Sequence, residues 1–374
     1  MSDYSKKRKE LLNLKEYIIH MPNNINKVKI IDGYAGLLGY FKEISGLTNQ
    51  ELKKYDIDDE FISKYDKRIT KSTENKIKET KEVAPILYQK YDEIIKEYQK
   101  NNFCSYEFSL FQKVSSNQLY EIVYDFFRFL GNDVVKLYNS IIKNNNIFLL
   151  DKCDYSGVSM NSLTTGSPSI VLQNIEKYLT YYFTLVHEMG HCYQFYLQRN
   201  HMHIEVFNPF MESTSLLFEK MFAYYLKKNH LYEKDLIDYD IENNIYFLND
   251  LASSKVILEL LMNKDIHNVN MYDLTYESSV PVTMLHSKMI KDCGYIMSNK
   301  FNFELSEIHY SMGEIIASYF IDEMEKDFNR AWSEYKDFIT TCDNYPLEDI
   351  IDKYVDTNLI KNNIKKFIKS YRSR

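Results

Sequence analysis

A chain of 374 residues that is 45% hydrophobic and 26% charged has enough apolar material for a large packed core, which excludes a disordered protein. Its formal net charge of −7 gives no support for a nucleic-acid binder, which would need a basic face. No stretch of the sequence approaches the ~18 uninterrupted apolar residues of a membrane span, and with only 10 Gly and 6 Pro the composition predicts long helices.

In chain order, residues 5–20 predict a helix, and the basic run Lys6, Lys7, Arg8 and Lys9 reads as its solvated end. The N-terminal sequence lacks the apolar core of a signal peptide. The cysteines Cys104, Cys153, Cys192, Cys293 and Cys342 form no CxxC pair, so a reducing cytoplasm is the expected compartment. Residues 48–100, rich in Lys, Glu and Tyr, predict two or more helices with a break near Pro85. From 119 to 141, Leu119, Ile122, Val123, Phe126, Leu130, Val134, Leu137 and Ile141 keep the three-four spacing of one helix face, which Asn144-Asn145-Asn146 ends.

Ile147-Phe148-Leu149-Leu150 and Ser169-Ile170-Val171-Leu172 are short β-like runs separated by Gly-, Ser- and Thr-rich sequence with Pro168. They predict a small sheet. An apolar helix follows from Ile175 to Leu197 with Asn174 as N-cap. Asn208-Pro209 starts another, because Asn caps well and Pro is tolerated at the first helical position. That helix runs through Glu212 and Glu219 to about Leu226. The remainder, 241–374, reads as mostly helical.

The chemistry concentrates in His187-Glu188-Met189-Gly190-His191. A helix places residues four apart on one face, so His187 and His191 can pinch one metal ion. Glu188 is rotated about 100° from His187. From there its carboxylate can take a proton from a water held at the ion without being a ligand itself. Leu185, Val186, Met189 and Tyr193 surround the motif with apolar and aromatic side chains. Burying two imidazoles and a carboxylate there costs several kcal/mol unless they are paired or bind metal. Zinc takes such nitrogen and oxygen donors and keeps one position open in catalytic sites. An HExxHxxGxxH site is excluded, because Gln194 and Leu197 hold the positions of its Gly and third His. The favoured third ligand is Glu212, on the helix after Asn208-Pro209; Glu205 and His203, in the connecting loop, are its rivals. Glu219, seven residues beyond Glu212, is a candidate to orient a ligand histidine.

These residues resemble the oligoendopeptidase F and thimet oligopeptidase family of zinc metallopeptidases. There HExGH is followed by a helix with E-x-x-S-x-x-x-E, matched here by Glu212, Ser215 and Glu219. Weaker matches follow in order. Leu150-Asp151, Gly157 and the run Pro168 to Asn174 resemble the strands before the zinc helix. Tyr310-Ser311-Met312-Gly313 with Ala317 resembles the family's Y-A-T-G segment. Tyr335 through Phe338, Pro346 and Val355-Asp356 resemble its C-terminal end. The resemblance covers roughly residues 119–374.

It implies a mainly α, zincin-like metallopeptidase fold, with a small β-sheet next to the HExxH helix and a deep cleft or channel. It also implies one zinc ion on His187, His191 and Glu212, and cleavage of short peptides. Gln194 stands where the family usually has His, and the stretch Lys300 to His309 departs from the family's histidine- and tyrosine-bearing segment. His309 and Tyr310 are the candidates for stabilising the oxyanion. The chain is shorter than typical members on the N-terminal side, so a reduced channel cover is expected.

The expected organisation is an N-terminal helical region, 1–146, and a catalytic region, 147–374, within one globular unit. The expected activity is endopeptidase cleavage of unstructured peptides. Ile170, Val171 and Leu172 would form an edge strand that pairs with extended substrate. The rivals are a carboxypeptidase on the same fold, for which no Arg stands out as the carboxylate partner, and a non-catalytic zinc protein that binds peptides.

Overall fold

The computed structural model describes residues 59–101, 116–143, 146–150, 156–160, 168–173, 178–198, 210–262, 306–342 and 345–372. The expected helix at 5–20 with its basic run, the caps Asn174 and Asn208-Pro209, the rival ligands His203 and Glu205, and the stretch from Lys300 to Leu305 lie outside them. Two compact units divide the chain: residues 1–69 with 111–204, and residues 70–110 with 205–374.

In the first unit, helices α2 (Ser116–Leu130) and α3 (Asn132–Lys143) replace the single helix expected over 119–141. Gly131 separates them, with φ of 144°, a conformation only glycine adopts without strain. Its N–H still bonds to the Phe127 carbonyl (3.1 Å), and its own carbonyl accepts from the Val135 N–H (3.2 Å). Gly131 therefore keeps both of its backbone hydrogen bonds through the turn. The apolar face continues on both sides of the break, with Leu119, Val123, Phe126, Phe127, Val134 and Ile141 buried.

Asn146 then starts the sheet. Its N–H bonds to Ile141 O (3.0 Å), its carbonyl accepts from the Ile170 N–H (2.8 Å), and its amide donates to Pro168 O (3.0 Å). Strands β1 (Ile147–Leu150), β2 (Gly157–Met160) and β3 (Ser169–Gln173) run in the order β1-β3-β2. β1 is parallel to β3, with Ile147 opposite Ile170; β2 is antiparallel to it, with Val158 opposite Val171.

This overturns one expectation. The strand carrying Ile170, Val171 and Leu172 is the central one, its backbone is paired on both sides, and the three side chains are buried. It has no free edge for a peptide, and its apolar run is that of a strand covered on both faces. Helix α4 (Leu179–Gln198) packs on β2 and β3 as well as on α2 and α3. Tyr120, Tyr181 and Tyr182 meet edge-to-face, and the Tyr193 hydroxyl donates to Asp133 Oδ2 at 2.5 Å.

The described residues of the second unit are helical. Helix α1 spans Asp59–Lys100, its residues 70–100 belonging to this unit, and contains Pro85, so the break expected there does not occur. An internal proline costs one backbone hydrogen bond. The buried row Val83, Ala84, Leu87, Tyr91, Ile94, Ile95 and Tyr98 offsets that loss by packing. Helices α5 (Ser213–Lys228), α6 (Glu233–Met262), α7 (Ser306–Lys326), α8 (Phe328–Thr341), α9 (Leu347–Tyr354) and α10 (Thr357–Arg372) follow. α7 is the hub, in contact with α5, α6, α8, α9 and α10. Its residues Ile308, Met312, Ile315, Ile316 and Phe320 are completely buried. Among the described residues no helix is long and apolar enough to cross a membrane.

Alanine at Gly131 would meet two obstacles: a Cβ 2.8 Å from Asp133 Oδ1 and a backbone conformation that L-residues rarely adopt. Gly131→Ala is expected to destabilise the protein by about 1–3 kcal/mol. A urea-unfolding midpoint unchanged from wild type would contradict this account of the break.

Candidate metal centre

Helix α4 presents its two histidines as helical spacing requires. His187 Nε2 and His191 Nε2 lie 3.2 Å apart, with the rings edge-to-face at 4.9 Å. Zinc–nitrogen bonds of about 2.0–2.1 Å put two imidazole nitrogens on one tetrahedral zinc about 3.3 Å apart, so the pair has the separation that a shared ion needs. His191 is buried and His187 half-buried, between completely buried Val186, Met189, Cys192 and Tyr193. Burial raises the Cys192 thiol well above its ordinary pKa, and the nearby Glu188 carboxylate adds to the shift. Cys192 is thus an inert core thiol rather than a ligand.

Glu188 is buried too, and β2 closes on it. A Cβ built on Gly157 would stand 2.6 Å from Thr184 Cγ2 and 2.9 Å from Glu188 Oε1. Only a residue without a side chain lets the strand lie against the helix at this point. β2 itself was missed in the sequence, because Gly-Val-Ser-Met is too short and polar to read as a strand. Gly157 was its one legible signal.

Glu212 is at the N-cap of α5, with helical φ and ψ of −85° and −7°. The helix therefore starts four residues later than Pro209 at its first position would have it. Phe210 to Glu212 form a turn in which the Ser213 N–H (2.9 Å) and Ser213 Oγ (2.7 Å) both donate to Phe210 O. An N-cap side chain ordinarily bonds to its own helix N–H groups; that of Glu212 makes no such cap bond. Ser215 holds it instead, donating from Oγ to Glu212 Oε2 (3.1 Å) and to Glu212 O (2.9 Å). This gives the serine of E-x-x-S a physical role. Glu219 accepts from the Tyr239 hydroxyl (2.9 Å).

α7 meets the same turn. A Cβ on Gly313 would stand 2.9 Å from Glu212 C and 3.0 Å from Ser213 N, so this glycine sets how closely α7 approaches Glu212. One turn earlier is buried His309. Burial pushes its imidazole pKa down to about 4, opposed by the charge of Glu212. The adjoining Tyr310 is exposed.

One donor atom from each of His187, His191 and Glu212 lies within 4.8 Å of the other two, a group that could hold a metal ion. Two imidazoles and a carboxylate are also the donor set of a catalytic zinc site. The residues present fit that ion.

The mainly helical architecture, with its small sheet beside the HExxH helix, is the fold of the oligoendopeptidase F-like metallopeptidases. The structure superposes on a Bacillus anthracis str. Ames protein assigned as an oligoendopeptidase F, with a TM-score of 0.52 over 90% of this chain, at 13% identity. It superposes on PZ peptidase A, crystallised with an inhibitor, with a TM-score of 0.51 over 98% of this chain, also at 13% identity. The chain spans 65% of the length of the first and 66% of the second. No protein-family model matches the sequence, and no curated protein matches it.

Gly157→Ala is expected to cost about 1–3 kcal/mol of stability by overpacking. Adding Thr184→Ser, which removes the clashing Cγ2 and keeps the hydroxyl that donates to Thr180 O, should recover part of the loss. Thermal melts of the single and double variants check this; no recovery would mean that β2 and α4 do not meet at Gly157.

Proposed function

We propose that the chain is a zinc-dependent endopeptidase acting on short or unstructured peptides. One observation carries the reading: two helix-borne imidazoles and a buried carboxylate form a group that could hold a metal, with Glu188 one residue along the same helix. His187, His191 and Glu212 would hold the zinc. When bound, the ion supplies Lewis acidity, lowering the pKa of water and polarising a carbonyl.

Glu188 acts as general base on the attacking water and returns the proton to the leaving amine. Its buried setting, with Gly157 against it, keeps the carboxylate in one place between the two steps. His309 is proposed as an oxyanion donor. With its pKa near 4 it is a neutral imidazole at pH 7, and one ring nitrogen carries a hydrogen to donate. A bound dication would lower that pKa further, so titration of His309 should not shape the rate between pH 6 and 8. The exposed phenol of Tyr310 is the second candidate donor.

Extended substrate would add to the edge of β2, the strand that lies against Glu188. Backbone pairing supplies affinity without reading the ends of the peptide, which favours internal cleavage. The completely buried thiol of Cys192 suits a reducing compartment, and we place the protein in the cytoplasm.

Purified protein should contain about one zinc per chain, and His191→Ala should lose most of it, as measured by elemental analysis. Glu188→Gln should keep the metal and lose nearly all hydrolysis, because it removes the proton acceptor and little volume. Wild-type turnover by Glu188→Gln would assign the base elsewhere.

Blocking a peptide at either end should leave cleavage at an internal bond. Loss of activity on amidation of the C-terminus would support a carboxypeptidase, whose carboxylate partner would be left unpaired. Zinc binding without hydrolysis of any peptide in a random library would support the peptide-binding reading.

A further inference from the structure

The turn that carries Glu212 is followed by Ser213, Thr214 and Ser215, three hydroxyl residues with no exposure to solvent. A buried hydroxyl costs about 1–3 kcal/mol when left without a partner, so a fully buried Ser-Thr-Ser run needs specific partners. Ser215 bonds to Glu212 itself. The other two meet Tyr335 of α8, whose hydroxyl is 3.2 Å from Ser213 Oγ and 2.6 Å from Thr214 Oγ1. Ser213 already donates its one hydrogen to Phe210 O, so it accepts from Tyr335. One unbroken chain satisfies all four groups: Thr214 O–H to Tyr335, Tyr335 O–H to Ser213, and Ser213 O–H to Phe210 O.

The tyrosine ring has little freedom to move. It is completely buried and stacks on Trp332 at an interplanar angle of 7°. It also meets Phe320 edge-to-face at 4.9 Å. One turn along α8, Phe338 packs edge-to-face on Phe210 at 5.6 Å. A single helix thus grips the turn on both sides of Glu212, by a ring contact before it and by a pair of hydrogen bonds after it. The Glu212 carboxylate makes no cap bond to its own helix; the Ser215 hydroxyl holds one of its oxygens, and the grip by α8 holds the turn from which the side chain projects.

We propose that Tyr335 is a positioning residue for the third metal ligand: through Ser213 and Thr214 it sets the conformation of the Glu212 turn, and so the affinity of the site for zinc. This rests on the metal reading above. Tyr335 acts through two intervening residues and has no part in the chemistry.

The test is the zinc dissociation constant of the metal-stripped full chain, measured by competition with a chromophoric chelator. Tyr335→Phe keeps the ring and removes only the hydroxyl; it should weaken zinc binding by about 10-fold, the lower end of what loss of a ligand-orienting group costs. Thr214→Val, which breaks the shorter bond from the other side, should weaken it similarly. The double variant should be no weaker than the worse single one, since both remove the same interaction.

Trp332→Phe disturbs the same aromatic cluster and leaves the Tyr335 hydroxyl and its partners in place. It should lower the melting temperature and leave the zinc constant within twofold of wild type. Zinc affinity of Tyr335→Phe within twofold of wild type overturns the proposal and leaves the metal site standing. Equal weakening in Tyr335→Phe and Trp332→Phe also overturns it, because the effect would then be general loss of packing. Wild-type chain that takes up no zinc overturns the metal reading and this proposal with it.

Discussion

A hydrogen-bonding group taken out of water must find another partner, and α4 buries Glu188 and His191 in a largely apolar setting. Leu185, Val186, Met189, Cys192 and Tyr193 are buried around them. The cost of such burial is several kcal/mol per ionised group, a large part of the net stability of a domain. An arrangement like this persists when the polar groups serve one another or an ion. The two imidazole nitrogens 3.2 Å apart are the local expression of that constraint. The rest of the site provides what those nitrogens and the adjacent carboxylate require.

Two glycines meet this requirement in the same way. Gly157 lets β2 lie against Glu188, and Gly313 lets α7 lie against the backbone of Glu212. In both places the alternative is a methyl group within 3.0 Å of an atom that must stay where it is. The helix register around Gly313 is held by a second, half-buried contact, the ion pair of Lys220 with Glu314 at 2.5 Å. Burial raises the Glu314 pKa, Lys220 opposes the rise, and Glu219 adds to it. Such a pair contributes little net stability, yet breaking it is expensive, because it leaves a charge without its partner. It therefore holds α5 and α7 in register rather than strengthening the unit.

The likeness to solved peptidases at 11–13% identity illustrates how little sequence a shared fold demands. Positions that only need to be apolar and of suitable volume can change freely. Positions that must be glycine, or that must supply a nitrogen or carboxylate at one point, cannot. A fold of itself does not confer an activity. Any peptide hydrolysis by this chain would rest on Glu188 and the His187, His191 and Glu212 group, not on the fold.

The sequence by itself determined what depends on one element's own period. The spacing of His187 and His191 aligns their rings on any helix, and the runs Ile147 to Leu150 and Ser169 to Leu172 are strands by their apolar continuity. Tertiary structure decided which elements meet. It made β3 the central strand, which closes the edge that Ile170 to Leu172 were expected to offer, because strand order depends on pairings that no local pattern encodes. It left α1 unbroken at Pro85, because packing outweighed a lost hydrogen bond. It broke the helix at Gly131, because the apolar spacing there is the same for one helix as for two. It also brought Tyr335 to Thr214 across 121 residues of sequence. A hydroxyl specifies that it needs a partner but not which one, and only the packed chain supplies the answer.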